Sequence, residues 1–188
     1  MAYKASLVSD SELPRFIDYL ADHLTDNNDG KTPLFQPMSR EEIWPRGERL
    51  ISFREQLGIP VGIGRWRRLW KATTEDGDVV GHFDLHARSE PFTLHRARVG
   101  IGVHREHGRR GIARLLLDTA LEWASGTQLE WIDIDVLEGN HPAETLYEAA
   151  GFHSTGFVPD LFRIDGRAIG NVTMTKQLRG EGTGKKPG

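Results

Sequence analysis

The segment Arg105-Glu106-His107-Gly108-Arg109-Arg110-Gly111 holds the residue types in this chain best suited to chemistry. Glycine lets a ligand approach the main chain, and arginines offer charge-assisted hydrogen bonds to phosphate oxygens. Before it, Ala97, Val99, Ile101 and Val103 alternate with Arg96, Arg98, Gly100 and Gly102, which is a strand pattern. After it, Ile112, Leu115, Leu116, Thr119, Ala120 and Trp123 recur at helical spacing. A strand feeding such a loop into a helix start presents unpaired N–H groups at the positive end of a dipole, which suits a phosphate. The same order of elements also serves as a plain connection with a solvated basic tip. The chain has neither a G-x-G-x-x-G turn nor a G-x-x-x-x-G-K-[ST] loop. Gly100 and Gly102 lie inside the strand and read as a bulge, or as a place where another backbone comes close.

The elements around this loop follow from pattern and punctuation. Ile132, Ile134 and Val136 alternate with Asp133 and Asp135, giving a second strand; Asn140 ends it, Pro142 opens a short helix and Gly151 closes that helix. Earlier, a strand is expected near 3–8 and a helix near 11–24 started by Asp10 or Ser11. The long polar loop 25–40 follows, and long loops are often functional. A second helix near 41–57 contains Pro45, so it is broken or begins later. Strands near 67–73 and 79–87 flank the turn Glu75-Asp76-Gly77-Asp78, and strands near 154–161 and 171–177 join through Asp165-Gly166.

Two stretches together resemble the GCN5-related N-acetyltransferase (GNAT) superfamily. Gly108-Arg109-Arg110-Gly111-Ile112-Ala113 matches its cofactor motif [Q/R]-x-x-G-x-[G/A] except at the opening position, which is Gly. Val136, Asn140, Ala143, Leu146, Tyr147 and Gly151-Phe152 match V-x-x-x-N-x-x-A-x-x-L-Y-x-x-x-G-F without a gap. The likeness extends more loosely over about residues 3–178. It implies an α+β (α/β-like) fold in one domain over 1–178, with 179–188 a disordered tail. The expected sheet is mixed and mostly antiparallel, of about 6–7 strands, with a splayed parallel pair and helices on both faces.

The resemblance also implies an acetyl-CoA-dependent N-acetyltransferase that moves the acetyl group directly to a primary amine of a small molecule or peptide. It places acetyl-CoA in the splay, its pantetheine along Ile101 and Val103 and its pyrophosphate at Gly108, Arg109, Arg110, Gly111, Ala113 and Arg114. Tyr147 matches the family's general acid toward the departing thiolate; the alternative is a ring packed over the sheet with its hydroxyl bonded to backbone. Asn140 either bridges the cofactor or caps the helix. Relatives carry a base at the position of Ala97, so Asp84, His86, Asp133 and Asp135 are the candidate bases here, each also readable as an ordinary polar residue. The missing base favours a weakly basic, α-amino acceptor. Asp22, Asp26, Asp29, Glu41 and Glu42 around the long loop either attract a cation or are simply solvated.

Composition is consistent with one domain: 188 residues, a formal charge of −3 and no cysteine, which excludes disulfides, thiolate metal sites and a cysteine nucleophile. The net charge gives no reason to expect nucleic acid. No apolar run reaches membrane-spanning length and no signal peptide is expected, so the default location is cytoplasmic without membrane association. No metal is expected, although His82 and His86 share a strand face. Trp44, Phe53, Trp66 and Trp70 either fill the core or line a homodimer interface. A non-catalytic acyl-CoA-binding regulatory module of the same fold is the alternative function.

Overall fold

The computed structural model describes residues 2–27, 33–39, 41–42 and 45–178. Asp29, Trp44 and the expected tail from residue 179 lie outside the described residues. Strands β1 (Lys4–Leu7), β2 (Arg67–Thr73), β3 (Val79–Ala87), β4 (Arg96–Val103), β5 (Trp131–Leu137), β6 (His153–Ile164) and β7 (Arg167–Gln177) build one sheet. Its order is β1-β2-β3-β4-β5-β7-β6. Every pairing is antiparallel except β4 with β5. Helices α1 (Leu13–Leu24) and α2 (Arg46–Leu57) pack on one face; α3 (Ile112–Ser125) and α4 (His141–Ala149) cover the other.

The period-two pattern sets which side chains meet which helices. Phe83, Leu85, Ala97 and Ile132 share a face with Trp70 and pack with Leu116 and Leu117 of α3 in the larger core. Leu69 points the other way, into a second core with Leu13, Phe16, Leu20 and Phe53. Trp66, Trp70 and Phe53, candidates for an interface on sequence grounds, are therefore core residues. Gly81 makes the α3 contact possible, because a Cβ there would sit 2.9 Å from Ile112 Cγ2 and 3.1 Å from Leu116 Cδ1.

Helix starts follow local chemistry. Ser9, rather than Asp10 or Ser11, precedes the first turn, and its N–H donates to Glu12 Oε2 at 3.0 Å. The second helix begins at Arg46, directly after Pro45, whose ring cannot sit in the interior. Asp165 (φ 48°) and Gly166 (φ 77°) both take positive φ, which a two-residue hairpin turn requires. Consequently β6 and β7 run right up to that turn and are longer than the sequence pattern suggests. The β6–β7 ladder accommodates register shifts between Ser154 and Gly156 and between Val158 and Phe162.

Gly100 and Gly102 are not a bulge, since β4 keeps an unbroken register with β3 from Ala97 to Val103. Nor does a backbone approach them. Side chains occupy the space a Cβ would need: Asp84 over Gly100, and His23 and His82 over Gly102. One stability measurement tests the α3 packing. Gly81→Ala should cost about 1–3 kcal/mol by overpacking, read as a lower denaturant midpoint at unchanged m-value.

Candidate functional site

The parallel pairing of β4 with β5 covers only Arg96 to Trp131, Ala97 to Ile132 and Arg98 to Asp133. Beyond that rung β4 stays on β3 and β5 stays on β7, so the two strands part. Their facing edges, 99–103 and 134–137, are left without a strand partner, and unpaired backbone groups demand one. A cavity of about 400 Å³ fills this wedge. Its walls are those two edges; Gly108 and Ala113 close one end, Asn140 and Tyr147 line a side, and His23, Phe35 and Gln36 reach in from α1 and its loop.

At the loop, Arg109 (φ 59°) and Gly111 (φ 77°) turn the chain into α3. No side chain caps that helix and its first turn holds no acidic residue, so its first N–H groups remain available to an anion. The arginines are disposed differently. Arg109 has no side-chain partner among the described residues. Arg110 donates to the Tyr3 hydroxyl at 3.2 Å. Arg114 is turned to Asp118 (2.7 Å) and to the Ala149 carbonyl (3.1 Å). Arg105 lines the cavity while holding Asp22 and Asp26. His104, Glu106 and His107 place ligand atoms within 4.8 Å of one another. However, His104 Nδ1 already accepts the Glu106 N–H and His107 Nδ1 meets the Tyr3 hydroxyl.

Tyr147 is buried, its ring packed 5.8 Å from that of Phe152. Its hydroxyl has no hydrogen-bond partner among the described residues, backbone included. Burial pushes the phenol well above its ordinary range, so it stays protonated at neutral pH. Asn140 stands at the N-cap of α4, but its side chain makes no capping bond; its carbonyl receives the Ala143 and Glu144 N–H groups.

The candidate bases separate by environment. Ala97 is fully buried against the α3 core, so that position could not present a base to the wedge. Asp133 accepts from Arg88 (2.6 Å), Arg96 and Thr175. Burial acts to raise its carboxyl, but the hydrogen bonds from Arg96, Arg88 and Thr175 outweigh it and hold the group below its ordinary value. Asp135 lines the wedge cavity and accepts from Asn171 (3.0 Å) and Thr173 (2.9 Å). Asp84 is paired with Arg67 and lies 2.8 Å from His86. Burial again acts to raise it, and the Arg67 guanidinium and His86 override this, holding it well below the carboxylate range. Asp84 lines a second cavity, of about 290 Å³, between α1, α2 and the sheet. That cavity also receives Glu42 from the long loop.

Sequence reasoning missed His23. It sits on the apolar stripe of α1, seven residues after Phe16 and three after Leu20, and a histidine on such a stripe is the signal that could have marked it. Both cavities touch it. Burial lowers its pKa to about 4, and Asp26 and Asp22 only partly offset this. Neighbouring His82 is lowered to about 3, mainly by burial, with His23 adding to the effect and Asp84 opposing it. Both imidazoles are thus neutral at pH 7.

Comparison with known proteins agrees with this geometry. The family model described as acetyltransferase (GNAT) family matches residues 35–152. The L-amino acid N-acetyltransferase AaaT of Escherichia coli (strain K12) is 33% identical over 82 residues, 43% of this chain and 51% of that protein. N-alpha-acetyltransferase 60 of Drosophila melanogaster is 33% identical over 85 residues, 44% of this chain and 31% of that protein. The chain therefore matches about half of the first relative and a third of the second. Among solved structures, yncA from Salmonella typhimurium, determined with its cofactor acetyl-CoA, superposes with TM-score 0.77 at 16% identity over 98% of this chain and 99% of that one. An N-acetyltransferase from Staphylococcus aureus Mu50 gives 0.77 at 14% identity over 95% and 100%. These share the fold. Among the described residues, no helix is long and apolar enough to cross a membrane.

The buried histidines generate a pH dependence with a definite sign. Their folded pKa values lie below the unfolded value of about 6.5, so the unfolded chain binds protons first as pH falls. Stability is full above about pH 6.5 and is lost on descending toward 4. Between pH 7.5 and 5 the loss should be about 2 kcal/mol per histidine, measured by denaturant titration. His23→Phe should roughly halve that dependence, because His82 remains.

Proposed function

The chain belongs to the acetyltransferase (GNAT) family, and we propose that it moves an acetyl group from acetyl-CoA directly to a primary amine, with Tyr147 as the general acid. The observation that carries this reading is the wedge: two strand edges lacking partners, an uncapped helix start at one end, and a tyrosine with an unengaged hydroxyl at the side. The donor's amide-bearing arm would pair with the edge around Ile101 and Val103, as an added strand does. Its pyrophosphate would rest on the N–H groups after Gly108 and Gly111 and at Ala113, with charge from Arg109. Arg110 and Arg114 would have to leave Tyr3 and Asp118 to add theirs. Gly at position 108 costs nothing on this account, because backbone donors do the binding. Asn140 would hold the wedge side through water.

In the reaction the amine nitrogen attacks the thioester carbonyl carbon, and a C–N bond forms as the C–S bond breaks. The departing thiolate takes the Tyr147 proton, the nitrogen sheds its extra proton to water, and water returns a proton to the Tyr147 phenolate. A phenol is a competent donor to a thiolate whose conjugate acid lies near ~8.5, and such transfer contributes about 10²–10⁴ in rate. The rest is positioning and electrostatics. Tyr147→Phe should leave acetyl-CoA binding intact by calorimetry and lower turnover roughly tenfold or more. An unchanged rate, with chemistry shown to limit turnover, would remove Tyr147 from the mechanism.

Asp84, His86, Asp133 and Asp135 offer no strong base. Asp133 and Asp84 are held ionised in ion pairs, His86 is bound to Asp84, and Asp135 is bound to Asn171 and Thr173. Among them Asp84 and Asp135 reach the cavities and would serve through water. The acceptor's own basicity then matters. Holding an amine of pKa ~10.4 neutral at pH 7 costs about 4.6 kcal/mol, against about 1.1 for an α-amino group near ~7.8. The expected preference is therefore α-amino over ε-amino. Initial rates on matched peptides near pH 7 check it, and a clear ε-amino preference would overturn it.

A further inference from the structure

The wedge cavity and the second cavity adjoin. Their linings have His23, Phe35, Gln36 and Ile101 in common, so the two lie against one another across the middle of β4. The second is lined by Phe16, Leu20, Met38, Phe53 and Leu69, with Glu42, Arg49, His82 and Asp84 adding polar groups. At about 290 Å³ it lies at the small end of ligand sites, which run to roughly 1,000 Å³. Its place in the fold follows from the glycines of β4, which leave room on this face for His23 and Asp84.

His23 occupies the threshold. Its ring is stacked against Phe35 at 4.8 Å and Tyr19 at 6.0 Å, and meets His82 edge-on at 5.2 Å. Both ring nitrogens are buried, yet neither has a hydrogen-bond partner among the described residues. Leaving such atoms unpaired is costly, whereas the adjacent His82 is satisfied by the Tyr19 hydroxyl at 3.3 Å. A packed imidazole with unused nitrogens, lining two adjoining cavities, is arranged to receive a ligand's hydrogen bond.

We propose that the second cavity is the acceptor chamber, that it takes a small amine carrying a compact apolar group, and that the His23 imidazole receives the hydrogen bond from that amine's nitrogen. This rests on the acetyl-transfer reading above and names its substrate class. The apolar part of the lining, Phe16, Leu20, Met38, Phe53 and Leu69, removes the acceptor's side group from water, while the chamber's size excludes a folded protein. Because burial keeps His23 neutral, it does not repel the incoming amine. The groups facing His23 are Asp22 and Asp26 from its own helix and loop, His104 and Arg105 from the phosphate loop, and His82 and Tyr19.

The test compares leucinamide with glycinamide, amines of matched basicity, by CoA thiol release on the full chain. Leucinamide should win by tenfold or more in kcat/KM, the scale expected of an apolar pocket. Leu20→Trp, which fills the chamber, should abolish that preference while the KM for acetyl-CoA stays put. Phe53→Ala, which enlarges it, should shift preference toward phenylalaninamide. His23→Ala should lower kcat/KM for every amine about tenfold, with His23→Gln recovering part of the loss. Circular dichroism and acetyl-CoA calorimetry confirm that each variant is folded. If amines are acetylated but glycinamide matches leucinamide, or Leu20→Trp, Phe53→Ala and His23→Ala leave amine kinetics unchanged, the chamber is not the acceptor site. If acetyl-CoA does not bind, or no CoA is released with any amine, the transferase reading itself fails and takes this one with it.

Discussion

The ion-pair clamp around Asp133 decides where the sheet opens. Asp133 stands on the last paired rung between β4 and β5, and Arg88 and Arg96 both donate to it, with Thr175 of β7 completing the set. Arg96 also lies over the Trp131 ring at 5.0 Å. Three strands are thus tied at one point, and past it β4 and β5 follow different partners. Net stabilisation from a buried ion pair is small, but removing one partner costs about 3–5 kcal/mol, so such a group marks position more than it adds stability. The closed end of the wedge is fixed by charge; the open end is left for a ligand.

The glycines of β4 act on the opposite face of the same constraint. A glycine in a strand costs about 0.5–1 kcal/mol against alanine, and β4 spends it at both 100 and 102. The vacated space is taken by Asp84, His23 and His82 from β3 and α1. A methyl group at either position would collide with them. The strand that supplies the unpaired edge therefore also supplies the room in which Asp84, His23 and His82 stand. Edge and chamber are two consequences of one short sequence, Val99-Gly100-Ile101-Gly102-Val103.

Local pattern made much of this legible. The bounds of β2 and β3 follow from alternation and an intervening turn, and the strand–loop–helix around residues 95–125 is readable because its period changes from 2.0 to 3.6 across a glycine-rich break. What pattern cannot supply is the identity of side chains arriving from elsewhere. Gly100 and Gly102 looked like a bulge because a lone strand does not reveal that Asp84 and His23 lie over it. The resemblance to the family marks the position of Ala97 as one where relatives carry a base, and it does not reveal that this position is buried in the α3 core. Asp133 read as a polar strand residue open to many roles, and only its arginine partners from residues 88 and 96 define it. His23 was hidden by its own correct placement, on the buried face of a helix where a histidine resembles any packed ring.

The adjacency of the two cavities bears on how the proposed chemistry would be driven. Direct transfer needs donor and amine present together, and holding both in register is worth a high effective molarity. Ile101 and His23 line both cavities, and Tyr147 lines the wedge. In the proposed reaction the proton donor and the amine's partner would therefore approach from different elements, α4 and α1. Burial keeps the phenol protonated and the imidazole neutral at pH 7. The same physical cause, exclusion of water, thus sets both protonation states. No charged side chain need be placed at the reacting atoms, and the chain's carboxylates and arginines are free to shape the sheet instead.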